Sequence, residues 1–76
     1  MSMKEQVIFI HTKIIKLDQF LKLTAEAMSG GEAKQMIQQQ MVQVNGQVCL
    51  MRGKKLTVGD CVMVNQTKYK IDYADQ

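Results

Sequence analysis

The hydrophobic pattern of this chain changes period twice. "QVIFIHT", residues 6 to 12, is a run of β-branched and aromatic side chains, and it predicts a strand. Its unbroken apolar character implies burial on both faces, or one face covered by helices. From Leu17 the spacing becomes helical, with Leu17, Phe20, Leu21 and Met28 on one face and Thr24 and Ala25 between them. Asp18 falls in the first turn, where the helix dipole favours a negative charge, and four residues ahead of Lys22. "SGGEAKQMIQQQM" then restarts a helix. Ser29, with Glu32 three residues on, matches a capping box, and Ala33, Met36, Ile37 and Met41 form the apolar stripe. Lys34 and Gln38 share its polar edge. Neither helix can hide its stripe alone, so the two are expected to pack on each other and on a sheet as an αα-hairpin.

The remaining residues read as strands. Val42 and Val44 alternate ahead of Asn45-Gly46, a strong hairpin signal. A two-residue loop would set Val44 against Gln47 and Gln43 against Val48, which mixes the faces. A three-residue loop, Asn45 to Gln47, sets Val44 against Val48 and Val42 against Leu50, and the pattern predicts that register because it keeps one face apolar. "CVMV" and "KYKIDY" follow, with a turn at Asn65-Gln66. Tyr69, Ile71 and Tyr73 point one way in the last strand, and Lys68, Lys70 and Asp72 the other. With no proline, repeat or low-complexity tract, the expectation is a single α+β domain over residues 1–76.

Composition narrows the function classes. A chain of 76 residues has room for one modest core. The net charge is +3 and the pI near 9.0, a mild excess, so distribution matters more than the total. Glu5, Asp18, Glu26, Glu32, Asp60, Asp72 and Asp75 are scattered, whereas "MRGKKL" gathers Arg52, Lys54 and Lys55 between two strands. Cys49 and Cys61 lie in apolar runs and read as small core thiols in a reducing compartment. The opening "MSMKEQVIFIHTK" has an apolar run too short for an export signal or a membrane span, so a cytoplasmic protein without membrane attachment is expected.

Enzyme chemistry finds little support. His11 is the one histidine and has no evident partner for acid–base work. His11, Cys49 and Cys61 lack the close pairing of zinc ligands, so no metal is expected. Gly53-Lys54-Lys55 lacks the upstream glycine and following Ser/Thr of a P-loop. Neither a cofactor, a small-molecule substrate nor catalysis is expected. The candidates that remain form a binding surface: Lys16 and Lys22 on the first helix, Lys34 and Gln38 on the second, and Arg52, Lys54 and Lys55 on the loop. Gly30 and Gly31 add bare N–H groups at a positive helix end.

"KLDQFL", "SGGEAKQMI", "VQVNGQV" and "LTVGDCV" follow one another in an order and spacing that resembles the alpha-L RNA-binding domain, the module named after small-subunit ribosomal protein four. The resemblance covers about residues 15–64, and "VNG" followed by "GD" is its most specific part. The chain also looks like the small stand-alone bacterial members, which add an N-terminal strand, a Gly-Gly before the second helix and a basic loop like "MRGKKL". This implies an αα-hairpin packed on a small antiparallel sheet with an added N-terminal strand. It implies a non-enzymatic, ribosome-associated protein that binds structured ribosomal or transfer RNA across the helix pair and the adjoining loop. Many members carry arginine where this chain has Lys16 and Gly30, and glycine where it has Gln40. The Gly30 and Gly31 N–H groups are expected to stand in for the missing guanidinium. A protein-interaction module or small homodimer is the alternative, resting on the apolar first strand and the methionine content.

Overall fold

The computed structural model describes residues 3–74 and sets two helices against a five-stranded sheet and a two-stranded ribbon. In chain order the elements are β1 (Lys4–Ile10), β2 (Ile14–Lys16), α1 (Leu17–Leu23), α2 (Gly30–Gln38), β3 (Val42–Val44), β4 (Gln47–Val48), β5 (Lys55–Thr57), β6 (Cys61–Val64) and β7 (Thr67–Tyr73). The large sheet runs β1-β7-β6-β3-β4. It is antiparallel except for β1, which joins β7 in parallel with Ile8 beside Ile71. The ribbon pairs β2 with β5.

Alternation along the strands sends Val42, Val44, Val62, Val64, Tyr69 and Ile71 to the face under the helices, where all are buried. Leu17, Phe20 and Leu21 of α1 and Ala33, Met36 and Ile37 of α2 meet them, and Leu56 closes the core from the ribbon. The Phe20 and Tyr69 rings pack edge to face with centroids 5.9 Å apart, a geometry that adds attraction beyond the area buried.

The structure departs from the sequence pattern at several elements. α1 does not continue to Met28. It ends at Leu23, where the Thr24 hydroxyl bonds the Leu21 carbonyl and Ala25 adopts a left-handed φ of 65°. Ala27 takes the buried place and Met28 is left 83% exposed. Met41 is likewise exposed, because α2 ends before it and Gln40 turns the chain at φ 62°. The Ser29 cap is present, its Oγ accepting from the Glu32 N–H at 3.1 Å.

The first hairpin has the two-residue loop. Val44 opposes Gln47 and Gln43 opposes Val48. Asn45 and Gly46 have φ of 52° and 85°, the left-handed pair whose twist suits adjoining strands. The mixed faces cost little because β4 is only two residues long, with Gln47 and Val48 both exposed. Asn65-Gln66 forms the second such turn, at φ 50° and 63°. β1 is covered on one face only: Ile8 and Ile10 reach the core, while Val7 and Phe9 face out. Tyr73 runs past the core and is exposed, although Tyr69 and Ile71 on the same face are buried. Cys49 and Cys61 are free and half-buried instead of fully enclosed.

Candidate nucleic-acid interface

The basic loop is docked on the first helix. A turn closes it from the Lys54 N–H to the Met51 carbonyl, at 3.1 Å. The Leu17 N–H then donates to the Lys54 carbonyl at 2.9 Å, and the Asp18 N–H to the Arg52 carbonyl at 3.0 Å. Among the described residues no side chain caps α1 at Lys16, and the loop backbone takes up the first two N–H groups of the helix, those of Leu17 and Asp18. The backbone of residues 52 to 54 is thereby committed inward. The side chains of Arg52, Lys54 and Lys55 are all exposed.

The ribbon brings a fourth cation to this place. Lys16 and Lys55 are direct partners across β2 and β5, one step from the pair Ile15 and Leu56. Ile15 and Leu56 turn inward, and Leu56 is fully buried, so Lys16 and Lys55 both project outward on the other face. Side chains directly opposite across an antiparallel pair lie roughly 5 Å apart at Cβ, and like charges there repel. The carboxylates closest in sequence to this pair are held by local hydrogen bonds. Asp18 accepts from the Gln19 N–H at 2.8 Å, and Asp60 accepts from Asn45 Nδ2 and the Thr57 N–H.

A second group lies on α2. Gly30, Lys34 and Gln38 are spaced by four and share one edge. The inward face is taken by Ala33, Met36 and Ile37. Ser29 accepts the Glu32 N–H with Oγ and the Ala33 N–H with its carbonyl. The N–H groups of Gly30 and Gly31 precede these and point out of the helix end. A Cβ at Gly30 would meet nothing within 4 Å, and one at Gly31 only Ser29 Oγ at 3.9 Å. Neither glycine has the left-handed backbone seen at Gly46 and Gly59. Crowding and conformation therefore do not require them. Lys22 belongs to neither the loop nor α2 and is exposed in the last turn of α1.

The sheet's outer face carries charges of both signs. There Lys68 lies opposite Glu5, and Lys70 is followed by Asp72 on the same face. Among the described residues, no three of His, Cys, Asp or Glu gather as a metal ion would need, and no helix is long and apolar enough to cross a membrane. Beside Lys54 an open groove of about 460 Å³ is lined by Val44, Val48, Leu50 and Met51. Sequence reading missed Leu50 and Met51 as surface residues, because they continue the apolar run of Val48 and Cys49 while the strand itself stops at Val48.

The "VNG" and "GD" segments are joined to each other. Asn45 Nδ2 donates to Asp60 Oδ1 at 3.1 Å, and Asn45 Oδ1 accepts the Cys61 N–H at 2.9 Å. Gly46 and Gly59 supply the left-handed turns on either side, at φ 85° and 96°. The signature is thus a clasp between two turns, which holds β3 against β6.

These features coincide with a known domain. The S4 domain matches residues 8–72. The chain belongs to the S4 domain family. The matched stretch is wider than residues 15–64, since it takes in the last three residues of β1 and all but the last of β7. A relative in Bacillus subtilis (strain 168), the probable ribosome maturation protein RlbA, is 46% identical over 57 residues, spanning 75% of this chain and 80% of its own. The 30S ribosomal protein S4e of Thermoplasma acidophilum superposes with a TM-score of 0.64 over 86% of this chain at 20% identity. The likeness to that protein is one of fold, and the S4 domain described here corresponds to 34% of its length.

Proposed function

We propose that this S4 domain is a non-enzymatic RNA-binding protein of the bacterial cytoplasm that acts on the ribosome or its precursors. The observation that carries the reading is the placement of Lys16 directly opposite Lys55, beside a loop whose backbone is tied to α1. A fold that sets like charges together on a rigid ribbon spends stability on them, and a polyanion recovers it. The name of the Bacillus subtilis relative, a probable ribosome maturation protein, supports the ribosomal setting.

In this reading Lys16, Arg52, Lys54 and Lys55 contact phosphates. Lys34 and the N–H groups of Gly30 and Gly31 hold a further stretch of backbone, and Lys22 and Gln38 lie at the rim. Phe20 and Tyr69 are buried, and the exposed Phe9 and Tyr73 lie on the paired strands β1 and β7, outside the basic loop and α2, so shape and backbone contacts on structured ribosomal or transfer RNA dominate over single-strand stacking. Neutralising about four phosphates makes log K fall against log salt with a slope of about −3 to −4.

Filter binding to bulk ribosomal and transfer RNA over a salt series tests this. The Lys54→Ala, Lys55→Ala double variant should fold normally, since the loop caps α1 through its backbone, and should bind more weakly with a shallower slope. Unchanged affinity and slope in a folded double variant would remove the loop from the interface.

A further inference from the structure

The RNA-contacting surface leaves the open edge of β1 unused. Among the described residues, β1 is the terminal strand of the large sheet and pairs with β7 alone. The Lys4 N–H donates to the Gln66 carbonyl, and the Ile10 carbonyl accepts the Ala74 N–H. Backbone groups alternate sides along a strand, so Lys4, Gln6, Ile8 and Ile10 turn theirs to β7. Glu5, Val7 and Phe9 therefore present their N–H and C=O groups at the open edge. The same three residues carry side chains on the outer face, where Val7 is 50% and Phe9 58% exposed.

Unpaired backbone and exposed apolar side chains thus coincide on one strand. Sheet edges are ordinarily blunted by shortness, proline, a bulge or inward charge. β4, at the opposite edge, is two residues long. β1 has seven, with charge confined to its first two residues, Lys4 and Glu5, no proline and a continuous register against β7.

We propose that β1 is a self-association edge, and that two copies pair antiparallel about a two-fold axis at Ile8. This register sets Val7 of each copy opposite Phe9 of the other, in hydrogen-bonded pairs that use the exposed backbone groups. It lays Ile8 on Ile8 of the second copy, which covers an isoleucine only half-buried at the rim of the core. It also places the Glu5 carboxylate at the His11 and Lys13 end of the second copy's strand, a complementary charge order that a parallel pairing loses. Nucleic acid fits the edge poorly, because it offers no matching array of N–H and C=O groups and Glu5 repels phosphate. One strand edge is smaller than the roughly 800 Å² per partner of a standard interface, so the dimer is expected to be weak and concentration-dependent.

Sedimentation of the nuclease-treated full chain, from micromolar to millimolar concentration, is the test. The expected result is a reversible monomer–dimer equilibrium that Val7→Lys abolishes, while circular dichroism shows that this variant, changed at an exposed position, stays folded. Ile8→Cys should give a covalent dimer on mild oxidation, because the two Ile8 positions form a non-hydrogen-bonded pair with Cα atoms about 4.5 Å apart. Wild-type protein, with Cys49 and Cys61 free, is the control and should not crosslink. A monomer at every concentration, or a dimer indifferent to Val7→Lys, overturns the proposal. A folded, dimeric Ile8→Cys protein that fails to crosslink overturns the register.

Discussion

Lys16 and Lys55 face each other across the β2–β5 ribbon, one step from the inward pair Ile15 and Leu56. The apolar pair fixes the register, and the lysines follow from it. Their repulsion predicts a trade between stability and binding. Lys55→Thr keeps a β-branched side chain at the position and removes one charge. It should raise stability by about 0.5 kcal/mol at low salt, read as a higher thermal midpoint, and the gain should shrink as salt screens the pair. The same change should weaken RNA binding and lower the magnitude of the salt slope by about 1. A gain in stability without loss of affinity would make the lysine pair incidental to binding.

Gly30 and Gly31 give a second prediction of the same form. Glycine in a helix costs about 0.5–1 kcal/mol relative to alanine, and both sites have space for a methyl group. Gly30→Ala and Gly31→Ala should each stabilise the protein, more modestly than in a helix centre because they sit in the first turn. RNA affinity should fall several-fold, because the added Cβ obstructs a phosphate approaching the N–H groups. Chemical denaturation and filter binding on the same samples separate the two effects.

Asn45 and Asp60 should behave as a unit. Each makes two hydrogen bonds through its side chain, one of them shared. Asn45→Ala and Asp60→Ala should each cost about 1–2 kcal/mol. The double variant should cost less than the sum, because the shared bond is lost only once. Asn45 carries an extra penalty, since alanine tolerates its left-handed φ less well than asparagine. RNA affinity of the folded fraction should be unchanged, which would separate this clasp from the binding surface.

Tyr69 predicts an alkaline limit to stability. Burial, then the carboxylate of Glu26 that its hydroxyl bonds, push the phenol from 10.0 up to about 12. The folded state therefore holds this proton more tightly than the unfolded chain. The stabilisation is fully present below pH 10 and is lost as pH rises from 10 toward 12. Tyr69→Phe should flatten that decline, and it should be destabilising at neutral pH, because the Glu26 carboxylate loses a hydrogen-bond donor. Denaturation midpoints between neutral and strongly alkaline pH report both.

Much of this molecule was written in short stretches of residues. Leu17, Phe20 and Leu21 announce one helix and Ala33, Met36 and Ile37 the other, because helical periodicity repeats within a few residues. Ser29, Asn45-Gly46 and Asn65-Gln66 mark a cap and two turns through local backbone chemistry. The exposed cations were legible too, since a charge cluster of one sign is visible without a fold.

Tertiary structure alone decided what these parts do together. The end of α1 depends on Ala27 reaching the core in place of Met28, a choice between two apolar residues that spacing does not rank. The hairpin register follows from the left-handed turn at Asn45-Gly46 and the early end of β4, which outweigh the purity of a face. The parallel seat of β1 on β7, which leaves Val7 and Phe9 at an open edge, joins strands about sixty residues apart in sequence. Lys16 meets Lys55 only because Ile15 and Leu56 are drawn into one core. Such pairings are set by which apolar groups are buried together over long sequence separations, and local pattern carries no record of them.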